Sequence, residues 1–227
     1  MSDNKQIKDG LGNLFSVRMK DRSGDGVLMQ SYVLASVLPL EYGAGGIYQK
    51  TVKSGTMAAG MVGDSPIYAF RYPALAPFCL VTRVRMNFWL LTAFSAAGIA
   101  RFEMFVARSF TAPDTGGAAA VLTGNNGKLR TSMASSQTTI QYGNTGALTP
   151  GTRTLSADPI DAMSISVGTS APAAVITPTN ATLFQKLQGE HPLFLAQNEG
   201  FVIQGTVPAG GTWGYSVTTE WMEVTLY

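Results

Sequence analysis

From Ile47 onward the chain alternates short apolar runs with breaks rich in Gly, Pro, Ser and Thr. Runs with β-branched and aromatic residues at every second position predict half-buried strands, because successive strand side chains point to opposite faces. Residues 47–52 and 66–72 are the first two such runs, the second closed by Pro73 and Pro77. Residues 78–91 form the longest, with Arg83, Arg85 and Asn87 on alternate positions and so on one side of a strand. In 99–110, Ala100, Phe102, Met104 and Val106 face one way, and Arg101, Glu103 and Phe105 the other. Residues 200–207 and 212–227 are separated by Pro208, Ala209, Gly210 and Gly211, loop chemistry that predicts a hairpin between them. In the last strand Trp213, Tyr215, Val217, Thr219, Trp221 and Glu223 share a face. Helical periodicity is almost absent. The expected fold is all-β: an antiparallel β-sandwich, jelly-roll-like, with an extended N-terminal arm and long ordered loops.

Two stretches depart from this rhythm. Residues 1–26 read as the arm: Lys5, Lys8, Arg18, Lys20 and Arg22 are interleaved with Asp3, Asp9, Asp21 and Asp25, and Gly10, Gly12, Gly24 and Gly26 break any helix. Its apolar anchors are few, chiefly Leu11, Leu14 and Phe15, so it folds against something else more readily than against itself. The remainder, 27–227, reads as a single β-sandwich domain with a loop-rich middle at about 111–181. That middle is crowded with small and polar residues, yet Leu129, Ile140, Leu148, Leu155, Met163, Ile165 and Val167 are spread through it. A structureless loop of such length is rare inside a compact domain. It is therefore expected to be ordered, by contact with a neighbour.

Composition narrows the function classes. With 227 residues the chain can bury about 70% of its surface without staples. Hydrophobic residues make up 45%, but charged ones only 13%, about half the usual share. The formal charge of +2 is too small for binding bulk nucleic acid or an anionic membrane, so neither is an expected partner. So little charge does little to keep bare monomers apart, and predicts a surface partly covered by partners. The first ten residues are polar and carry no secretion signal, and the longest apolar stretch, residues 88–100, is too short to span a bilayer as a helix. A soluble protein made in a cytoplasm is expected.

Catalysis needs several convergent groups. The lone cysteine, Cys79, sits among Phe78, Leu80 and Val81 and reads as a buried structural thiol. The lone histidine, His191, reads as a turn residue before Pro192, with Glu190 pointing elsewhere. No Cys/His or carboxylate set has metal-ligand spacing, so no metal, cofactor or catalytic residue is assigned. Residues 123–130, TGNNGKLR, lack the spacing and the Ser or Thr of a phosphate loop and read as a tight turn. Asn180, Ala181 and Thr182 match a glycosylation sequon and read as a turn. Arg83, Arg85, Arg101 and Arg108, with Phe88, Trp89 and Phe105 nearby, are the candidates for stacking nucleic-acid bases. Glu103 interrupts them, and an ordinary solvated or interfacial sheet face is the better reading.

Several blocks carry a resemblance. IKDGLGNLF at 7–15, GTMAAGM at 55–61, SPIYAFRYP at 65–73 and LTGNNGKLRTSM at 122–133 resemble virion structural proteins of tailed bacteriophages and prophages. So do LQGEHPLFLAQNEGFVI at 187–203 and VPAGGTWGYSVTTEWMEV at 207–224. The resemblance implies a non-enzymatic particle protein, with a capsid decoration (cement) protein as the first expectation. Its implied partners are the major capsid protein and further copies of itself, a homotrimer being favoured over a dimer, and its implied location is the phage head, after synthesis in the bacterial cytoplasm. The alternatives are a tail-associated component (fibre, spike or adaptor) and a glycan-binding module, for which exposed Trp213, Trp221 and Glu223 would be the candidates.

On this reading Leu11, Leu14 and Phe15 form the capsid-contact arm. Deleting residues 1–24 is expected to leave a folded β-domain that attaches to heads more weakly by about 2 to 3 kcal/mol per copy, after ordering costs are set against burial of the three anchors. Titrating truncated and full-length protein onto undecorated heads checks this. Equal affinity would make the arm a passive tail.

Overall fold

The computed structural model describes the backbone of residues 4–8, 14–18, 20–21, 28–29, 46–58, 60–169, 179–187 and 190–224, with side chains from residue 46 onward except that of Thr179. The chain divides into two compact units, Met1–Leu40 and Glu41–Tyr227. In the first, β1 (Asn4–Lys8) pairs antiparallel with β2 (Leu14–Arg18), with Ile7 opposite Phe15 and Lys8 opposite Leu14. Strands β3 (Lys20–Asp21) and β4 (Leu28–Met29) also pair antiparallel. Because β1 and β2 run antiparallel, the chain reverses direction between them, and a five-residue strand reaches only about 17 Å.

The second unit is built from β5 (Gly46–Lys53), β6 (Met57–Ala58), β7 (Met61–Tyr72), β8 (Phe78–Thr92), β9 (Gly98–Arg108), β10 (Ala118–Ala119), β11 (Thr139–Tyr142), β12 (Thr154–Leu155), β13 (Asp161–Val167), β14 (Thr179–Gln185), β15 (Leu193–Leu195), β16 (Glu199–Val207) and β17 (Thr212–Val224). Among the described residues there is no helix. One sheet has the order β10-β11-β7-β16-β9, with β12 and β13 sharing the far side of β9. The other has the order β14-β8-β17-β5, extended by β15 beside β8 and β6 beside β17. All the pairings are antiparallel, and the two sheets enclose one main core.

The eight long strands pair from the outside inward: β5 with β17, β7 with β16, β8 with β14, and β9 with β13. That is a long hairpin rolled across two sheets, the eight-stranded jelly roll. The sandwich expectation holds, and its jelly-roll form is explicit in the topology. The hairpin expected between 200–207 and 212–227 does not form. β16 pairs with β7 and β9, β17 with β5, β6 and β8, so the intervening turn carries the chain from one sheet to the other. Gly210 and Gly211 permit this with φ of 77° and 76°, the left-handed region where glycine has no Cβ penalty. Both strands then aim their aromatic faces into one core, which side-by-side pairing alone would not require.

Alternation sets the interior. From β17 come Trp213, Tyr215, Val217, Thr219 and Trp221, all fully buried, as the sequence pattern predicts. Across from them lie Tyr68, Phe70, Phe102, Met104, Phe201 and Ile203. Trp221 stacks on Tyr48 at 5.5 Å and meets Phe70 edge-on at 5.3 Å, while Trp213 packs 5.6 Å from both Phe88 and Phe102. The polar tips are satisfied: Trp213 Nε1 donates to Ala58 O at 3.0 Å, and the Tyr215 hydroxyl reaches Ile67 O at 2.5 Å and Gly143 O at 2.9 Å. In β8 the inward set is Leu90, Phe88, Met86 and Val84, then switches parity to Val81 and Cys79. A bulge does this, since Glu220 faces Arg83 but Trp221 faces Val81, leaving Thr82 over.

The loop-rich middle is held by its own chain. Gln49 N donates to Gly127 O at 2.8 Å and Leu129 N to Ile47 O at 3.2 Å, so residues 127–129 cover the free edge of β5. Gly143 N donates to Ile67 O and Leu148 N to Pro66 O, both at 2.7 Å. Phe110, Leu148 and Leu155 pack a second small core with Ala69, Ala107 and Val202 on the outer face of the first sheet. Residues 111–169 are ordered, as expected, and the contacts seen there are made with their own chain. An ion pair between Asp114 and Arg153 staples this excursion, with Gly151 N also donating to Asp114 at 2.8 Å and the guanidinium lying over Phe110. Burial pushes the Arg153 pKa down to about 10.

Replacing Trp213 by Ala removes a side chain at the centre of this packing. The expected cost is about 3 to 5 kcal/mol, seen as a lower urea midpoint with unchanged denaturant slope. A loss below ~1 kcal/mol would contradict the core described here.

Candidate functional site

The chemistry-bearing residues divide between interior and surface. Cys79 is fully buried, and desolvation, with a smaller contribution from Glu223, pushes its thiol well up, which leaves it inert as a nucleophile. His191 is exposed in the connection before β15. Residues 123–130 form a turn, with Gly124 and Gly127 at φ of 64° and 78°. Asn180, Ala181 and Thr182 are not a turn as expected. They pair in β14 with Asn87, Met86 and Arg85, because alternation along 180–185 fits the edge of β8.

The most elaborate polar cluster surrounds Glu223 at the end of β17. Its carboxylate accepts from Ser136 Oγ at 2.6 Å, Gln137 N at 3.0 Å and Trp221 Nε1 at 3.4 Å. Tyr48 donates to Ala134 O at 3.0 Å, so two interior side chains grip the same 134–137 segment. Beside it opens a shallow cavity of about 240 Å³, lined by Ser136, Thr138, Thr139, Ala120, Leu122 and Gln141 among others. Desolvation raises the Glu223 pKa, opposed by the Ser136, Gln137 and Trp221 hydrogen bonds, while Tyr48 is pushed up to about 12 by burial first and by Glu223 second. The arrangement anchors a loop. The Ser136 proton is committed to the carboxylate, and no histidine or lysine is among the partners shown for the pair. Trp213, Trp221 and Glu223, the residues named for a glycan site, are all buried in the sandwich.

The outward face of the second sheet is the more accessible feature. Arg83 and Arg85 on β8 both reach Glu220 on β17, the second at 3.6 Å. Trp89 lies flat over Gly214, where a Cβ would come within 2.5 Å of the indole, and Lys53 sits above the ring at 5.5 Å. One carboxylate therefore balances three cations on this face. Arg101 and Arg108 belong to β9 of the other sheet, paired with Glu103 at 3.5 Å and Glu199 at 2.6 Å, and Phe88 is interior. The proposed base-stacking set is split between the two sheets and is not brought together. Of the arm residues, Leu11 lies outside the described residues, while Leu14 and Phe15 stand in β2. Sequence reading missed Glu220 as the hub of the arginine pair. Its outward position, three residues before Glu223 on the opposite parity, was the available signal.

Among the described residues no group of three or more His, Cys, Asp or Glu is placed to hold a metal ion, and no helix is long and apolar enough to cross a membrane. The chain matches no protein-family model and no curated protein.

Glu223 makes the cluster testable. Its native pKa is raised, so folding favours the protonated form: that stability is present below the ordinary carboxyl range and is lost as pH rises through the native value. In Glu223→Gln this dependence disappears. Urea midpoints should therefore shift in favour of the variant between pH 4 and pH 7, relative to the native protein. A shift in favour of the native protein would show that the hydrogen bonds to the carboxylate outweigh its desolvation.

Proposed function

We propose that the chain is a non-enzymatic structural protein of a tailed-phage particle, a capsid decoration protein that binds the major capsid protein and stabilises the head. The observation that carries the reading is the eight-stranded jelly roll itself, an architecture that viral capsid domains share with lectins and cupins. Fold alone does not assign function. The motif blocks at 187–203 and 207–224, which resemble virion proteins, supply β15, β16 and β17 of that roll.

Surface character supports the same reading. The interior takes up the aromatic residues that a glycan platform would need outside. At the end of the sandwich where β7 and β9 begin, Val62 is 81% and Ile99 61% exposed, with Leu91 at the end of β8 also exposed. Apolar residues in that setting fit a surface that a partner covers. In the head, a repeated contact of standard size, about 1,600 Å² in total, suffices when many copies act together. On this reading the protein belongs to the virion and acts as a homo-oligomer.

Copy number per particle tests the role. Quantitative mass spectrometry of purified virions should return hundreds of copies for a decoration protein. A few to some tens would move the chain to the tail, and none would remove it from the particle.

A further inference from the structure

The outward face of the second sheet carries more positive charge than it neutralises. Arg83 and Arg85 share Glu220, and Lys53 rests on Trp89 without a carboxylate partner shown. Gln49, Thr51, Ser216, Thr218 and Asn87 complete the face without adding charge. Along β8 the two arginines stand about 7 Å apart, with Trp89 and the exposed Leu91 continuing the same row.

A complementary element lies elsewhere on the same chain. The turn between β12 and β13, together with the first residue of β13, presents Asp158, Ile160 and Asp161 to solvent around Pro159. Neither aspartate enters an ion pair with a described residue. The side chain of Asp161 accepts only the neighbouring Ala162 amide, at 2.7 Å. Ile160, between them in sequence, is 43% exposed. The Cα atoms of residues three apart on the chain lie at most about 10 Å from each other, so both side chains can reach a pair of arginines about 7 Å apart. The turn sits at the margin of the first sheet, beside β9, and the arginines lie on the outer face of the second.

We propose that the Asp158–Asp161 turn of one copy docks on the Arg83–Arg85 face of the next. The occupant of the arginine face is therefore a second copy of this chain. The turn belongs to the margin of one sheet and the arginines to the outer face of the other, so the contact proposed is head to tail, or heterologous. Repeated head to tail, such a contact gives a ring when the rotation between copies closes, and a ring of three is the closed form that fits the proposed homotrimer. Each guanidinium gains a carboxylate that Glu220 alone does not supply, and charge-assisted pairs of this kind fix register as well as affinity. This inference rests on the homo-oligomer in the proposed function, but not on the capsid role.

The test is sedimentation velocity on the full chain at several salt concentrations. The native protein should be a closed oligomer that loosens as salt rises. Asp158→Lys/Asp161→Lys, on an exposed turn, should weaken association by about a hundredfold, as should Arg83→Glu/Arg85→Glu. Mixing the two variants restores complementary pairs and should restore association. A native protein that is monomeric at about 100 µM overturns both the homo-oligomer and this contact. An oligomer that survives the Asp158/Asp161 reversal, with circular dichroism unchanged, overturns the contact and leaves the oligomer standing. If the Arg83/Arg85 variant fails to fold, the Asp158/Asp161 variant decides alone.

Discussion

The register of β17 between β8 and β5 is the constraint on which the rest of the structure depends. Nine of its thirteen residues are buried and the other four half-buried, and the inward set carries both core tryptophans. A slip of one residue would turn Trp213, Tyr215 and Trp221 out to solvent and bring Ser216, Thr218 and Glu220 into the core. The bulge at Thr82 belongs to the same constraint. It lets β8 keep Val84 and Val81 both inward while Arg83 stays outside with Glu220. Interior aromatics and exterior ion pairs are thus two consequences of one pairing.

Much of this was legible in the chain because period-two alternation reports directly on burial. The inward and outward sets of β9 and the aromatic face of β17 follow from residue type alone. Sheet membership does not. A Pro-Ala-Gly-Gly turn suits a hairpin and a crossover equally, and what separates β16 from β17 is long-range pairing with β7 and β8. The parity switch in β8 was hidden for a similar reason, since Val81, Thr82, Arg83 and Val84 read equally well as plain alternation with one imperfection. The buried Asp114–Arg153 pair joins residues far apart in sequence within a loop-rich stretch, where no periodicity marks either partner.

Chemistry and surface are arranged in opposite senses. Cys79 and Glu223 are enclosed, and the Glu223 carboxylate holds the 134–137 segment against the end of β17. What remains outside is a flat face with two arginines around one glutamate, an apolar end at Val62 and Ile99, and an acidic turn. Those features suit contact with other chains. The low charge content acts in the same direction, since a surface with few ions is cheaply desolvated when partners cover it.

The central structural claim is that the loop-rich middle closes the jelly roll from within the chain. Native-state hydrogen exchange at the amides of Gln49, Leu129, Gln137, Gly143 and Gly151 tests it most directly, because each donates across the seam between this stretch and the strands or within its stapled loop. The account predicts that these amides exchange far more slowly than an unstructured peptide in the isolated protein, approaching the protection of β17. Exchange at unstructured-peptide rates at all five, with β17 still protected, would contradict it.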